Sequence, residues 1–155
     1  MDAEITGGTI PLWLEPDAAR AALGFPLTVL PPPATASPEA AIRFLVQHAR
    51  AAGLLSEAGA EAAVRGALRR EQLGPTAVGG GLALPHAKVD RSALPHQAGV
   101  LGYAGAGVAW DSPDGQPVRL ACLLLLWPRG GEMLRFGEAV RGYFESRGHP
   151  GLKAR

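Results

Sequence analysis

Apolar positions recur with two different periods along this chain, and the change from one to the other marks its elements. Behind Ser37-Pro38-Glu39, the residues Ile42, Leu45, Val46 and Ala49 follow i, i+3, i+4, i+7 spacing, the stripe of an amphipathic helix. Ser37 suits its cap, Pro38 its first position and Glu39 the positive end of its dipole. Gly53 ends it. A second helix starts at Ser56, carries Ala60, Ala63, Val64, Ala67 and Leu68 on its inner face, and closes at Gly74-Pro75. Strand patterns follow. "GLALPHAKV" alternates and reads as a strand interrupted at Pro85, "QAGVLGYA" as another, and "GVAWDSPDGQPV" as a strand with a Pro-Asp-Gly turn. "VRLACLLLLWP" is almost continuously apolar, as a central strand buried on both faces must be. "EMLRFGEAVRGYF" returns to helical spacing through Leu134, Val140, Tyr143 and Phe144.

The ends are less regular. "TIPLWLEP" fits a strand or the start of a short helix, Glu15-Pro16-Asp17 with "AARAAL" predicts a helix ending near Gly24, and "PLTVL" is a short strand. "PPPATA" breaks regular structure, and "ESRGHPGLKAR" reads as a frayed tail. Helices and strands mixed in this way predict an α/β fold, bordering on α+β: one domain with a central mixed sheet and helices on both faces. Leu120 to Leu126 is expected as its interior strand, with Cys122 buried.

Composition narrows the function classes. The 155 residues carry 15 Lys+Arg against 14 Asp+Glu, a net charge of +1, so bulk charge draws the chain to neither nucleic acid nor an acidic membrane. A single cysteine excludes an internal disulfide and any cysteine metal cluster, and fits a reducing cytoplasm. The N-terminus has acids where a signal peptide needs bases, and no apolar run approaches a membrane span. Of the histidines, His48 lies between core positions of a helix, His96 follows Pro95 in a turn, and His149 falls in the tail. None has metal-ligand spacing, so no metal is expected. Trp13, Trp110 and Trp127 read as packing or partner-facing groups, and Asp111 and Asp114 as solvated residues flanking a turn.

His86 is different. It stands behind Arg70, Thr76 and three consecutive glycines, in "REQLGPTAVGGGLALPHAKVD". Gly79, Gly80 and Gly81 are justified where the backbone takes unusual angles or approaches something closely. A tight loop beside the imidazole is one such arrangement, and its N–H groups would suit an anion. Arg70 offers a forked donor for phosphate and Thr76 a hydroxyl. The pattern is neither a Walker loop nor a dinucleotide fingerprint. Glycine-rich turns before a strand are common, and a lone histidine is more often structural than chemical.

The segment resembles the signature of the fructose/mannitol/nitrogen-type IIA domains of the bacterial phosphotransferase system. Arg70, Glu71, Leu73, Gly74, Thr76, Gly79, Gly81, Pro85 and His86 stand where that signature places them, and the likeness extends over about residues 27 to 144. It implies an IIA-like domain over residues 27–146, with an extension at 1–26 and a tail at 147–155. It implies a cytoplasmic phosphocarrier whose His86 takes a phosphoryl group from an HPr-like protein, with Arg70 as phosphate partner. The group would pass to a IIB partner or act as a regulatory mark. Phosphoryl transfer between histidines needs positioning and charge rather than a cofactor, so none is expected. Two departures stand out. Met133-Leu134 falls where the family has a His-Leu pair opening the helix after the central strand, and little chain follows that helix. They leave two alternatives: a degenerate IIA-like regulator that takes no phosphate, and a small-molecule module holding an anion.

Overall fold

A computed structural model describes residues 3–5, 8–10, 17, 20, 23–129 and 132–146, with the backbone alone for 3–5, 8–10, 132–134 and 145–146. A hairpin of β1 (Ala3–Ile5) and β2 (Gly8–Ile10) comes first. Then follow β3 (Leu27–Val29), a 3-10 turn at Pro32–Thr35, α1 (Pro38–Ala51) and α2 (Glu57–Leu73). The glycine segment forms β4 (Ala77–Gly79), β5 (Leu82–Ala83) and β6 (His86–Lys88). The chain continues through β7 (Ala98–Val108) and β8 (Val118–Leu126) to α3 (Glu132–Ser146).

Both expected caps are in place. Ser37 Oγ accepts from Ala40 N at 3.0 Å and Ser56 Oγ from Gly59 N at 3.0 Å, each satisfying an orphan donor of a first helical turn. The predicted stripe of α1 is buried, as are Ala60, Ala63 and Ala67 of α2. Small residues let α2 lie close to the sheet: a Cβ added at Gly66 would stand 3.4 Å from the Cβ of Ala87 in β6.

Six strands form one mixed sheet in the order β3-β7-β8-β5-β4, with β6 also on β8. β7 runs antiparallel to β8, while β3 on β7 and both β5 and β6 on β8 are parallel. β8 is therefore interior, as expected. Its odd residues Ala121, Leu123 and Leu125 join the core built with α1 and α2. Its even residues Leu120, Cys122, Leu124 and Leu126 join a second core with Val140 and Phe144 of α3. The apolar run thus has a layer of helix to bury against on each side.

Three details differ from expectation. β7 is one strand of 11 residues, continuing through "GAG", with an irregular register between Tyr103 and Val108; glycine in a strand marks such irregularities. "PPPATA" forms a turn of 3-10 helix, which its prolines permit at the first positions. The β1–β2 hairpin has strands too short to leave a period in the sequence. Residues 17, 20 and 23 are helical and Gly24 N donates to Arg20 O at 2.7 Å, in line with the helix expected to end near Gly24. The rest of that segment and the tail, with His149, lie outside the described residues.

Cys122 is 0% exposed, and burial pushes its thiol pKa up. A thiol that never ionises and never meets solvent does not react with alkylating reagents. Labelling of the native protein is therefore expected only at the rate of global unfolding, while guanidinium-unfolded chain labels at once. Rapid labelling of the native protein would remove Cys122 from the interior strand.

Candidate functional site

The pairs Leu82↔Leu120, Ala83↔Ala121 and His86↔Leu124 share one register offset. β5 and β6 are thus two ends of a single strand carried in register through Leu84 and Pro85. Pro85 has no N–H, but its carbonyl still accepts from Leu124 N at 2.9 Å. Along this strand Ala87 falls on the α2 side and Leu82 and Leu84 on the α3 side. Alternation puts His86 with Leu82 and Leu84.

His86 is part-buried, and its Nδ1 lies 3.1 Å from the Leu84 carbonyl oxygen. A carbonyl can only accept, so Nδ1 carries the proton and Nε2 keeps the lone pair. Burial is the largest influence on the imidazole and lowers its pKa; the positive charges of Arg70 and Lys88 act the same way. The Leu84 carbonyl and the Glu71 carboxylate pull it up without reversing the balance. A pKa below 6.5 leaves the ring mostly neutral at pH 7, with its lone pair on Nε2.

Arg70 is tied to the chain that leads into the edge of the same sheet. β4 pairs antiparallel to β5 at Ala77↔Ala83, and Leu84 N donates to Thr76 O at 3.0 Å. Carrying the same pairing back two residues sets Gly74 level with His86. The Arg70 guanidinium donates to Gly74 O at 2.8 Å, and its positive charge is among those that lower the His86 pKa.

The structure puts the glycines elsewhere. Gly81 O accepts from Arg119 N and Leu120 N, at the opposite end of β8 from the partner of His86. Leu82 and His86 are four residues apart in register, about 13 Å along a strand. The glycine loop expected beside the imidazole is instead the turn of the β4–β5 hairpin. Gly80 and Gly81 are its two central residues, at φ 69° and 81°; a type I′ turn needs positive φ at both. Gly80 N donates to Asp114 Oδ2 at 2.8 Å. Asp114 is exposed, as the sequence reading expects, and it also accepts from Ser112 Oγ and Gln116 N. It pins the hairpin to the β7–β8 loop.

Thr76 is buried, and its hydroxyl donates to Glu71 Oε1 at 2.8 Å. Glu71 Oε2 accepts from Thr76 N at 2.8 Å and from the Trp110 indole N–H at 2.7 Å. Sequence reading gives Glu71 no role and Trp110 only a packing or partner-facing one. The acid next to Arg70 was the available signal, but its partner is 39 residues away. His48 is half-buried on α1 with its pKa lowered by burial, and His96 is exposed. Among the described residues no cluster of three His, Cys, Asp or Glu could hold a metal, and no helix is long and apolar enough to cross a membrane.

Comparison with known proteins identifies the family and the fold. The "PTS system fructose-specific EIIA component" of Haloferax volcanii is 37% identical over 101 residues, a match covering 65% of this chain and 62% of that protein. The chain thus spans less than two thirds of that relative's length. The fold is that of nitrogen regulatory protein IIA-Ntr from Neisseria meningitidis, at a TM-score of 0.61 and 22% identity over 83% of this chain and 88% of that one. It is also similar to a chain in the complex of enzyme IIA Mtl with phosphorylated enzyme IIB Mtl from Escherichia coli, at a TM-score of 0.54 and 18% identity over 77% and 90%. Residues 28–130 match the family described as "Phosphoenolpyruvate-dependent sugar phosphotransferase system, EIIA 2", and the chain belongs to that family.

Proposed function

We propose that the protein is a phosphocarrier that takes a phosphoryl group on Nε2 of His86. One observation carries this reading: the Leu84 carbonyl 3.1 Å from Nδ1 fixes the tautomer that leaves Nε2 nucleophilic, with the Arg70 guanidinium moored on Gly74 O alongside. A neutral imidazole is a competent nucleophile at neutral pH. In the transfer, Nε2 attacks the phosphorus of a phosphohistidine on an HPr-like carrier. The new N–P bond forms as the donor's N–P bond breaks, and the donor imidazole, already protonated on its other ring nitrogen, takes the electron pair and leaves neutral. The proton stays on Nδ1, hydrogen-bonded to Leu84 O, so no base is required. Arg70 meets the charge on the phosphoryl oxygens. Thr76 and Gly79 to Gly81 support the site from the frame: they hold the strand and hairpin that deliver His86 rather than the phosphate itself.

The working unit is residues 27–146. It uses no cofactor and acts in the cytoplasm, where a reducing compartment suits Cys122. The onward recipient is a IIB partner, as a IIB protein binds the similar Escherichia coli chain, or a regulatory target. Incubation with phosphoenolpyruvate, enzyme I and an HPr-type carrier is expected to give an acid-labile, base-stable phosphate. Because the pKa of His86 lies below the ordinary 6.5, the acceptance rate should keep more than half its plateau value as pH falls from 8 to 6.5. It should drop below half only at lower pH, as the ring protonates and Nε2 loses its lone pair. A protein that folds but takes no label at any pH is the degenerate regulator instead.

A further inference from the structure

The Glu71 carboxylate joins three parts of the molecule. It leaves the last turn of α2, receives both the backbone N–H and the hydroxyl of Thr76 at the entry to β4, and receives the indole N–H of Trp110 beyond the end of β7. We propose that Glu71 is a positioning residue for phosphoryl transfer, holding Arg70 in place beside His86; this rests on the phosphocarrier reading above.

The argument runs through the short segment between α2 and β4. Gly74 and Pro75 are flanked by the end of the helix and by Thr76, and Gly74 carries the oxygen on which the Arg70 guanidinium rests. That oxygen is only as fixed as the segment bearing it. Glu71 bolts the segment down at Thr76 and fastens it to Trp110, which is 5% exposed and part of the core. Charge-assisted hydrogen bonds of 2.7–2.8 Å are the strong kind. With them, an arginine with several rotatable bonds has one anchored position level with His86. Without them, its anchor moves with a two-residue loop. Glu71 does not itself meet the phosphate, because its oxygens are occupied on the inner side. Its charge does reach the imidazole, which it pulls toward protonation against Arg70 and Lys88. Placement and charge must therefore be separated by experiment.

The test compares Glu71→Asp, Glu71→Gln, Arg70→Ala and the double variant Arg70→Ala/Glu71→Gln. Acceptance is followed from a phosphorylated HPr-type carrier and from phosphoramidate, a small donor with no protein surface. The pKa of His86 is read by NMR titration. Glu71→Asp keeps the charge and withdraws the oxygens by one methylene, so it should slow acceptance about 10-fold, and any change in the His86 pKa should be a rise, as the displaced Arg70 cation lowers it less. Glu71→Gln should slow it by a similar factor and, having lost the carboxylate charge, hold that pKa below its value in Glu71→Asp. Arg70→Ala should cost about 10²-fold, the scale for removing one charged donor. The double variant should be no slower than Arg70→Ala, because residues acting as a unit are not additive. Wild-type rates in Glu71→Asp, or independent losses that multiply in the double variant, overturn the positioning role. A wild type that labels from neither donor overturns the phosphocarrier reading beneath it.

Discussion

Replacing His86 by Ala is expected to reduce phosphate acceptance below detection while the fold survives. The side chain's hydrogen bond is to Leu84 O, and the residue is part-buried at the start of β6. The lost bond should cost about 1 kcal/mol, the usual net value of one hydrogen bond, and a domain stable by 5–15 kcal/mol tolerates that. The chemical loss is total, because among the described histidines His48 lies half-buried on α1 and His96 stands exposed beyond β6, away from the Arg70 anchor. Labelling with phosphoenolpyruvate, enzyme I and carrier, followed by acid and base treatment, measures the outcome. Phosphorus NMR of the wild type should show the Nε2 isomer, since Nδ1 is committed to Leu84 O. A phosphate on Nδ1, or full labelling of His86→Ala, would break the tautomer argument on which the proposed function stands.

How much of this was legible in the sequence depended on the range of the physics involved. Ser37, Ser56, the stripe of α1 and the apolar run of β8 act within a few residues, and each was read correctly. Arg70 and His86 were paired because they share one motif, and the hairpin between them folds the motif back on itself. The glycines failed at the next scale. A triplet that permits positive φ is visible in sequence, but whether it faces an anion or turns a hairpin depends on which residues of β8 it meets. Gly80 answers to Asp114, 34 residues on, and no local pattern announces that. Thr76 shows the same limit. Its hydroxyl suited a phosphate on paper, whereas it donates its hydrogen bond to the acid five residues earlier. Pro85 was readable as an interruption, but its use was not. By lacking an N–H it interrupts the regular ladder between β5 and β6, where the Leu84 carbonyl accepts from the histidine that follows.

Met133→His is expected to accelerate phosphate acceptance by about 10²-fold, the scale at which one donor to a transferring group counts. The placement argument uses the backbone and one neighbour. α3 packs on the same sheet face as Leu82 and Leu84, and a Cβ at Gly137 would stand 3.2 Å from Leu84 Cδ1. Met133 precedes Gly137 by four residues, on the same helical face. It lies one turn nearer the start of α3, about 6 Å along the axis. His86 lies two residues beyond Leu84, about 7 Å along the strand, and since α3 follows β8 and turns back over it, both steps lead toward the same end of the sheet. Position 133 therefore comes level with His86. An imidazole there supplies an N–H to the phosphoryl oxygens and, once protonated, a positive charge; a thioether supplies neither. The rate gain should depend on His86 and vanish in the Met133→His/His86→Ala double variant. If Met133→His leaves a slow wild type unchanged, position 133 does not serve the phosphate. If neither protein takes label, the chain is a regulator that kept the fold and the arginine–histidine pair without the transfer.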